Sequence, residues 1–243
     1  MKRLTFTSVV SLLCLLAFGQ ATEDIMVIEK KDATTLRVNV EDIQRVVFEA
    51  VNIIPTGTVN GHEWIDLGLP SGTKWATCNV GASKPEEYGG YYAWGETKTK
   101  NEYGTKTYQH YYSQMVYGNI GSDIAGTPYD AATANWGAPW SMPTSEQIQE
   151  LLNYTSSQRT QQNGVSGQKF TGPNGGTIFL PNAGNRWDDF VDGETSYGLY
   201  WSSSLYPDNS NWAYSLYFDM TIVSGHGYYD RIGGLSVRPV LKN

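Results

Sequence analysis

Few side chains in this chain are of a type to do chemistry. In 243 residues there are three histidines, His62, His110 and His226, and two cysteines, Cys14 and Cys78. A cysteine nucleophile needs a histidine beside it. No motif ties Cys78, in KWATCNVG, to any of the three, so it reads as a small apolar residue. Asp188, Asp189, Asp192 and Glu194 form an acidic run, NRWDDFVDGE. Its oxygens are of the hard kind that hold calcium, although the same run makes an ordinary solvated turn. Glycoside hydrolysis needs two facing carboxylates, and nothing in the spacing pairs any. No Gly-rich phosphate loop, His-rich zinc pattern or nucleophile elbow is present. The expectation is therefore no catalytic residue, no metal ligand and no cofactor.

The stronger signal is recognition. Between Ser196 and Gly234, 21 of 39 residues are Tyr, Ser, Gly or Asn. Antibody-like binding loops favour these types, because Tyr offers rigid amphipathic area and the others offer adaptable hydrogen bonds. In NWAYSLYFDM, strand alternation puts Trp212, Tyr214, Leu216, Phe218 and Met220 on one face, apolar enough for core. Asn211, Ala213, Ser215, Tyr217 and Asp219 then face solvent. The candidate ligand surface is Tyr206, Asp208, Asn209, Asn211, Ser215, Tyr217, Asp219, His226, Tyr228, Tyr229 and Asp230. Trp94, Trp136, Trp140, Trp187 and Trp201 read mainly as core. Trp136 and Trp140, flanking a turn in NWGAPWSMP, are the better exposed candidates for sugar stacking.

The elements that must position these residues fall into unlike segments. Lys2 and Arg3 precede the ten-residue apolar run Val9–Phe18, too short to span a bilayer as a helix. With small residues at Ala17, Gly19 and Ala21, residues 1–21 read as a cleaved export leader. Leu13 precedes Cys14 where a lipoprotein signal resembles Leu-Ala-Gly-Cys, which argues against lipidation. The mature chain then has one cysteine and no intrachain disulfide, and it stays in the periplasm or reaches the surface or medium. Removing Lys2 and Arg3 from 17 basic residues leaves 15 against 24 acidic, a net charge of −9. Such a surface repels phosphate backbones, which sets nucleic acid aside as a partner. No segment of the mature chain reads as a transmembrane span, and nothing in the sequence sets an oligomeric state.

Every Trp and Tyr lies after residue 60. Residues 22–51 read as a short β-rich module, with strands at Ile25–Glu29 and Thr35–Val40, a turn at Asp32-Ala33, and a third apolar run in VEDIQRVVF. Residues 52–61, NIIPTGTVNG, read as a linker. Residues 62–243 read as one compact mixed domain. Its best helix is in MPTSEQIQELLNYTSSQ, where Thr144 and Gln147 match a capping box and Ile148, Leu151 and Leu152 form the apolar stripe.

Several stretches have a familiar order. WIDLGLPSGTKWATCNVGA, GGYYAWGE, WSMPTSEQIQELL, FLPNAGNR, GLYWSSS and GLSVRPV resemble, over roughly residues 62 to 243, the Fibrobacter succinogenes major paralogous domain and its Bacteroidota relatives. The ending is similar to the variable region of diversity-generating retroelement target proteins. Residues 22–51 resemble a module found ahead of many exported proteins of gut Bacteroidota. The resemblance implies an α+β, C-type-lectin-like domain: a small twisted antiparallel sheet, one or two helices and long loops, with its termini close together. The calcium-holding triplets of sugar-binding relatives are missing. Tyr206-Pro207-Asp208 is the nearest match, and Trp-Asn-Asp is absent. One cysteine also cannot supply the pair that formylglycine-generating relatives use. The expected function is an exported, non-catalytic binding protein for a glycan or protein ligand on a cell surface. The rival expectation is an assembly subunit of a surface appendage that docks through residues 22–51. For the leader, N-terminal sequencing of the exported product should find cleavage after Gly19 or Ala21; an acylated Cys14 would overturn this.

Overall fold

The computed structural model describes residues 54–113 and 116–241, with the short segments 11–13, 25–29 and 35–40. The chain divides into two compact units, Met1–Val51 and Asn52–Asn243.

The first unit holds a three-stranded antiparallel sheet of β1 (Ser11–Leu13), β2 (Ile25–Glu29) and β3 (Thr35–Asn39), in that order. Ile25 pairs with Asn39 and Glu29 with Thr35, the hairpin that the β-branched runs predict. The short β1 lies inside the stretch read as a leader, and it pairs with Val27–Glu29. The Asp32-Ala33 turn and, apart from Val40, the VEDIQRVVF run lie outside the described residues.

The second unit is mostly antiparallel sheet with two short helices, an α+β arrangement. It begins with the hairpin of β4 (Thr56–Val59) and β5 (His62–Asp66); β5 falls in the predicted domain, whereas β4 and its turn fall in the stretch 52–61 expected as a linker. The correction is local. Asn60 and Gly61 have φ of 51° and 82°, the two positive values that a two-residue hairpin turn requires, so Asn-Gly here joins paired strands. β6 (Lys74–Ala76) follows, then a long insertion bearing β7 (Tyr111–Ser113) and β8 (Val116–Tyr117). Helix α1 (Ala131–Trp136), β9 (Trp140–Ser141) and helix α2 (Ser145–Tyr154) come next. Then come β10 (Ser156–Gln162), β11 (Val165–Thr171) and β12 (Thr177–Pro181), a meander. The hairpin β13 (Asn185–Trp187) and β14 (Phe190–Asp192) precedes β15 (Gly198–Leu205), β16 (Trp212–Phe218) and β17 (Val223–Asp230). The last strand is β18 (Val240–Leu241). It enters between β6 and β9, giving the order β4-β5-β6-β18-β9, so both ends of the unit lie in one sheet.

The sheet β15-β16-β17 separates two apolar clusters. Leu199, Trp201 and Ala213 join Trp94, Trp136 and Trp140 on one side. Tyr200, Leu216 and Phe218 join Ile148, Leu151 and Phe170 on the other. Small residues at Ser202–Ser204 let neighbours reach the backbone of β15. Trp94 Nε1 donates to the Ser202 carbonyl at 2.9 Å, and Ile124 N donates to that of Ser203 at 3.0 Å. Ser204 Oγ accepts from Ser145 N at 3.1 Å, at the start of α2.

Helix α2 forms where its local signals put it. Thr144 Oγ1 accepts from Gln147 N at 3.2 Å, and Gln147 Oε1 accepts from Thr144 N at 2.9 Å, so two end donors are satisfied reciprocally. Glu146 adds a negative charge to the first turn. Among the described residues no helix is long and apolar enough to cross a membrane. Thr144→Ala should lower stability by about 0.5–2 kcal/mol in urea unfolding; an unchanged midpoint would show that the packing of Ile148 and Leu151 alone holds α2 in place.

Candidate ligand-binding surface

The three strands β15–β17 distribute the predicted ligand residues over several environments. The loop after β15 closes on itself: Tyr206 N donates to the Trp212 carbonyl at 2.9 Å, and Trp212 N to that of Asn209 at 3.0 Å. Asn209 Oδ1 accepts from Asn211 N at 3.0 Å, which spends one acceptor on the turn. Asp208 projects into solvent beside it, and Asn209 and Asn211 are half-buried.

Above this loop the rings gather. Trp212 stacks on Tyr228 with centroids 4.6 Å apart and planes 14° apart. Tyr206 lies 4.6 Å from Tyr228 and 5.2 Å from Tyr214. Cross-strand pairing of Tyr214 with Tyr228 puts both on one face. Tyr228 is 47% exposed, and the other three rings are half-buried. Trp212 and Tyr214 were expected in the core and instead complete a surface aromatic platform. Their inward neighbours Leu216 and Phe218 are each 1% exposed, as alternation predicts. The difference is that α2 covers only part of this face. Tyr214, Gly225 and His226 border a groove of about 430 Å³ against Glu146, Gln149 and Asn153 of the helix. His226 is exposed at this rim.

The opposite face departs from the expectation of a solvent side. Ala213 and Ser215 are fully buried. Tyr217 and Tyr229 are half-buried against the first core cluster. The reason is non-local: Leu199 and Trp201 bring that cluster, with Tyr197, against this face. A register shift opposite Ser215–Tyr217 also bends the β16–β17 pair there. Met220, assigned to the core side, is 76% exposed because β16 ends at Phe218 and Met220 sits in the turn.

Two predicted ligand carboxylates are occupied by the fold. Asp219 accepts from Thr221 N at 2.7 Å, Ile222 N at 2.9 Å, Thr221 Oγ1 at 2.9 Å and Tyr217 Oη at 2.8 Å. The backbone N–H groups of Thr221 and Ile222, then the two hydroxyls, hold its carboxyl far below the usual range. Asp230 accepts from Tyr117 Oη at 2.8 Å and Ile232 N at 3.2 Å, and burial pushes its carboxyl up. Both act as turn and loop anchors.

The other aromatic candidates are interior. Trp136 is 7% exposed and Trp140 fully buried. His62 stacks on Trp136 with centroids 3.7 Å apart, and Trp140 Nε1 donates to the Val59 carbonyl at 3.0 Å. The β4–β5 hairpin thus covers the turn that made these Trp residues look exposed. Trp94 and Trp201 are also fully buried, and Trp187 is half-buried. The acidic run forms the β13–β14 hairpin, with Asp188 in the left-handed region at its tip. Among the described residues, no three His, Cys, Asp or Glu side chains come together as a metal site would require. Cys78 is a free, half-buried thiol that burial pushes up, with Thr77 Oγ1 at 3.7 Å from its sulfur.

Composition in the C-terminal stretch could not have pointed to Asn185 and Asp192, which lie before it, and it does not single out Tyr197. They come from β13, β14 and the approach to β15, and with Ser215, Tyr217 and Tyr229 they line a cleft of about 250 Å³. Comparison with protein-family models, characterised proteins and solved structures finds no match to this chain.

The Asp219 contacts predict a pH effect. A carboxylate with a depressed folded value contributes stability that is present above its unfolded value, about 3.9, and is lost as pH falls through the folded value. Asp219→Asn should therefore flatten the fall in melting temperature below about pH 4 relative to the parent chain. Identical acid limbs would show that the turn gains nothing from the charge.

Proposed function

We propose that the second unit is a C-type-lectin-like, non-catalytic binding domain of an exported protein. Its ligand surface is the aromatic platform of Tyr206, Trp212, Tyr214 and Tyr228, rimmed by Asp208, Asn209, Asn211 and His226. The observation behind this reading is the Trp212–Tyr228 stack with Tyr206 against it, three rings gathered at the surface beside polar loop groups. Large, rigid rings with wet edges are the side chains that dominate binding energy at recognition surfaces. The ligand class is a glycan or a protein on a cell surface. A sugar ring would stack on the exposed faces, and the Asp and Asn groups would orient its hydroxyls. The unit's antiparallel sheets, two helices and long loops accord with the proposed fold.

The second reading, an assembly subunit that docks through residues 22–51, is supported by β3. Among the described residues that strand is an outer member of its sheet, Leu36 within it is 48% exposed, and Val40 just after it is 42% exposed. An open, partly apolar edge can take a strand from another chain.

Glycan-array and cell-surface binding by the parent chain and the Trp212→Ala variant tests the first reading. Loss of the stacked ring should weaken binding by more than about 1 kcal/mol, roughly five-fold, with the melting curve little changed. Binding that survives Trp212→Ala and Tyr228→Ala together would end it. Co-purification with a multisubunit assembly that depends on residues 22–51 would favour the second reading instead.

A further inference from the structure

The cleft on the other face of β16 and β17 has the marks of a separate site. Its floor is the cross-strand pair Ser215 and Gly227. A Cβ on Gly227 would lie 3.0 Å from the carbonyl oxygen and from the Oγ of Ser215, so the missing side chain keeps this floor open. Ser215 is fully buried, and its Oγ has no hydrogen-bond partner within the protein. A buried hydroxyl left unmatched costs stability, whereas deleting one can be neutral. At the floor of this cleft it offers a hydrogen-bonding group that the protein leaves unused.

The walls are tyrosines. The Tyr197 and Tyr217 rings lie 5.6 Å apart and tilted by 38°. Asn185 joins the walls: its Nδ2 donates to Tyr229 Oη at 2.8 Å, and its Oδ1 accepts from Tyr197 Oη. Tyr197 Oη also lies 3.1 Å from Asp192 Oδ2. The sign of the charge is one-sided, since Asp192 is the sole charged group in the lining. Arg186, its neighbour on the same hairpin, points elsewhere, with its guanidinium 6.0 Å over the Tyr103 ring. Burial first, and then the charges of Asp192 and Asp230, push the Tyr229 hydroxyl up to about 12.

Three aromatic rings and a carboxylate attract a cation, repel an anion and give a neutral polyol no electrostatic advantage. A cation with N–H donors can also satisfy Ser215 Oγ, which a quaternary ammonium cannot. We infer that this cleft holds the primary ammonium group of an amine-bearing ligand, with Tyr197, Tyr217 and Tyr229 around the charge and Ser215 and Asp192 as acceptors. The inference does not rest on the aromatic platform, whose paired residues Tyr214 and Tyr228 alternate with Ser215 and Gly227 along the strands, although Tyr228 also borders the cleft.

Calorimetric titration of the full chain at pH 7 with n-butylammonium, n-butanol and tetramethylammonium tests it. Butylammonium should bind at least about five-fold more tightly than its neutral isostere butanol, and more tightly than tetramethylammonium. Ser215→Ala should weaken butylammonium about ten-fold, as a lost hydrogen bond to a charged group does. It should leave the melting temperature unchanged or higher. Asp192→Asn keeps the shape and should also weaken binding. Trp212→Ala should leave it unchanged, so failure of the platform and failure of the cleft are told apart. An N-acetylated lysine tripeptide that binds more tightly than butylammonium assigns the ammonium to a protein side chain, and equal binding assigns it to a free amine; either upholds the site. Butanol binding as well as butylammonium, no binding of butylammonium, or full affinity in Ser215→Ala would overturn it.

Discussion

Two buried guanidinium groups hold the second unit together. Arg238 is 1% exposed and donates to Asn79 Oδ1 at 2.8 Å, to the carbonyls of Ala76 and Thr77 at 3.2 and 3.1 Å, and to that of Phe179 at 2.9 Å. Those acceptors lie on or beside β6 and on β12, so one side chain near the end of the chain joins segments far apart in sequence. Arg231, equally buried, donates to Tyr108 Oη at 3.0 Å, to the Ser210 carbonyl at 2.9 Å and to that of Gly118 at 3.0 Å. Among the described residues neither has a carboxylate partner; the ion pair found there is Lys100–Glu96. A buried charge is tolerated only when its donors are matched. The fold must therefore deliver these carbonyls to fixed positions, and the irregular segments between strands are shaped by that demand.

The aromatic platform depends on this constraint. Ser210 sits in the loop between Tyr206 and Trp212, and Arg231 grips that loop from below. Arg231 also lies 4.7 Å over the Trp94 ring, and Tyr108 and Tyr117 pack nearby. Tyr117 in turn donates to Asp230 at the end of β17. The long insertion between β6 and α1 thus braces the strand ends that present the rings. Side chains ordered in advance by such a frame would lose little entropy on meeting a ligand.

The sheet β15-β16-β17 is used on both sides, but unevenly along its length. Near Leu216 and Phe218 one face packs on α2, and near Ala213 the other packs on the tryptophan cluster. Where neither cover is complete the strands carry Tyr. On one face this gives the platform. On the other it gives the cleft over Ser215 and Gly227. Tyr suits such partly covered positions because its ring can pack while its hydroxyl stays bonded or wet.

What the sequence by itself determined is what depends on near neighbours. The capping box at Thr144 and Gln147 and the stripe through Ile148 and Leu151 define α2, since every interaction spans three or four residues. Alternation puts Leu216 and Phe218 inside for the same reason. Asn60-Gly61 is as local a signal, yet by itself it fits linker punctuation equally well, because a turn becomes a hairpin only when its flanking strands find each other. Tertiary structure decided the rest. Trp136 and Trp140 flank a turn, but the β4–β5 hairpin, more than 70 positions away, covers them. Ser215 and Tyr217 alternate as a solvent face should, yet Tyr197, Leu199 and Trp201 arrive to bury it. Asp230 looks like a free ligand group until the hydroxyl of Tyr117, 113 positions away in the chain, is in place. Burial and hydrogen-bond saturation belong to pairs of residues, and when the second member is distant in the chain, the first cannot announce it.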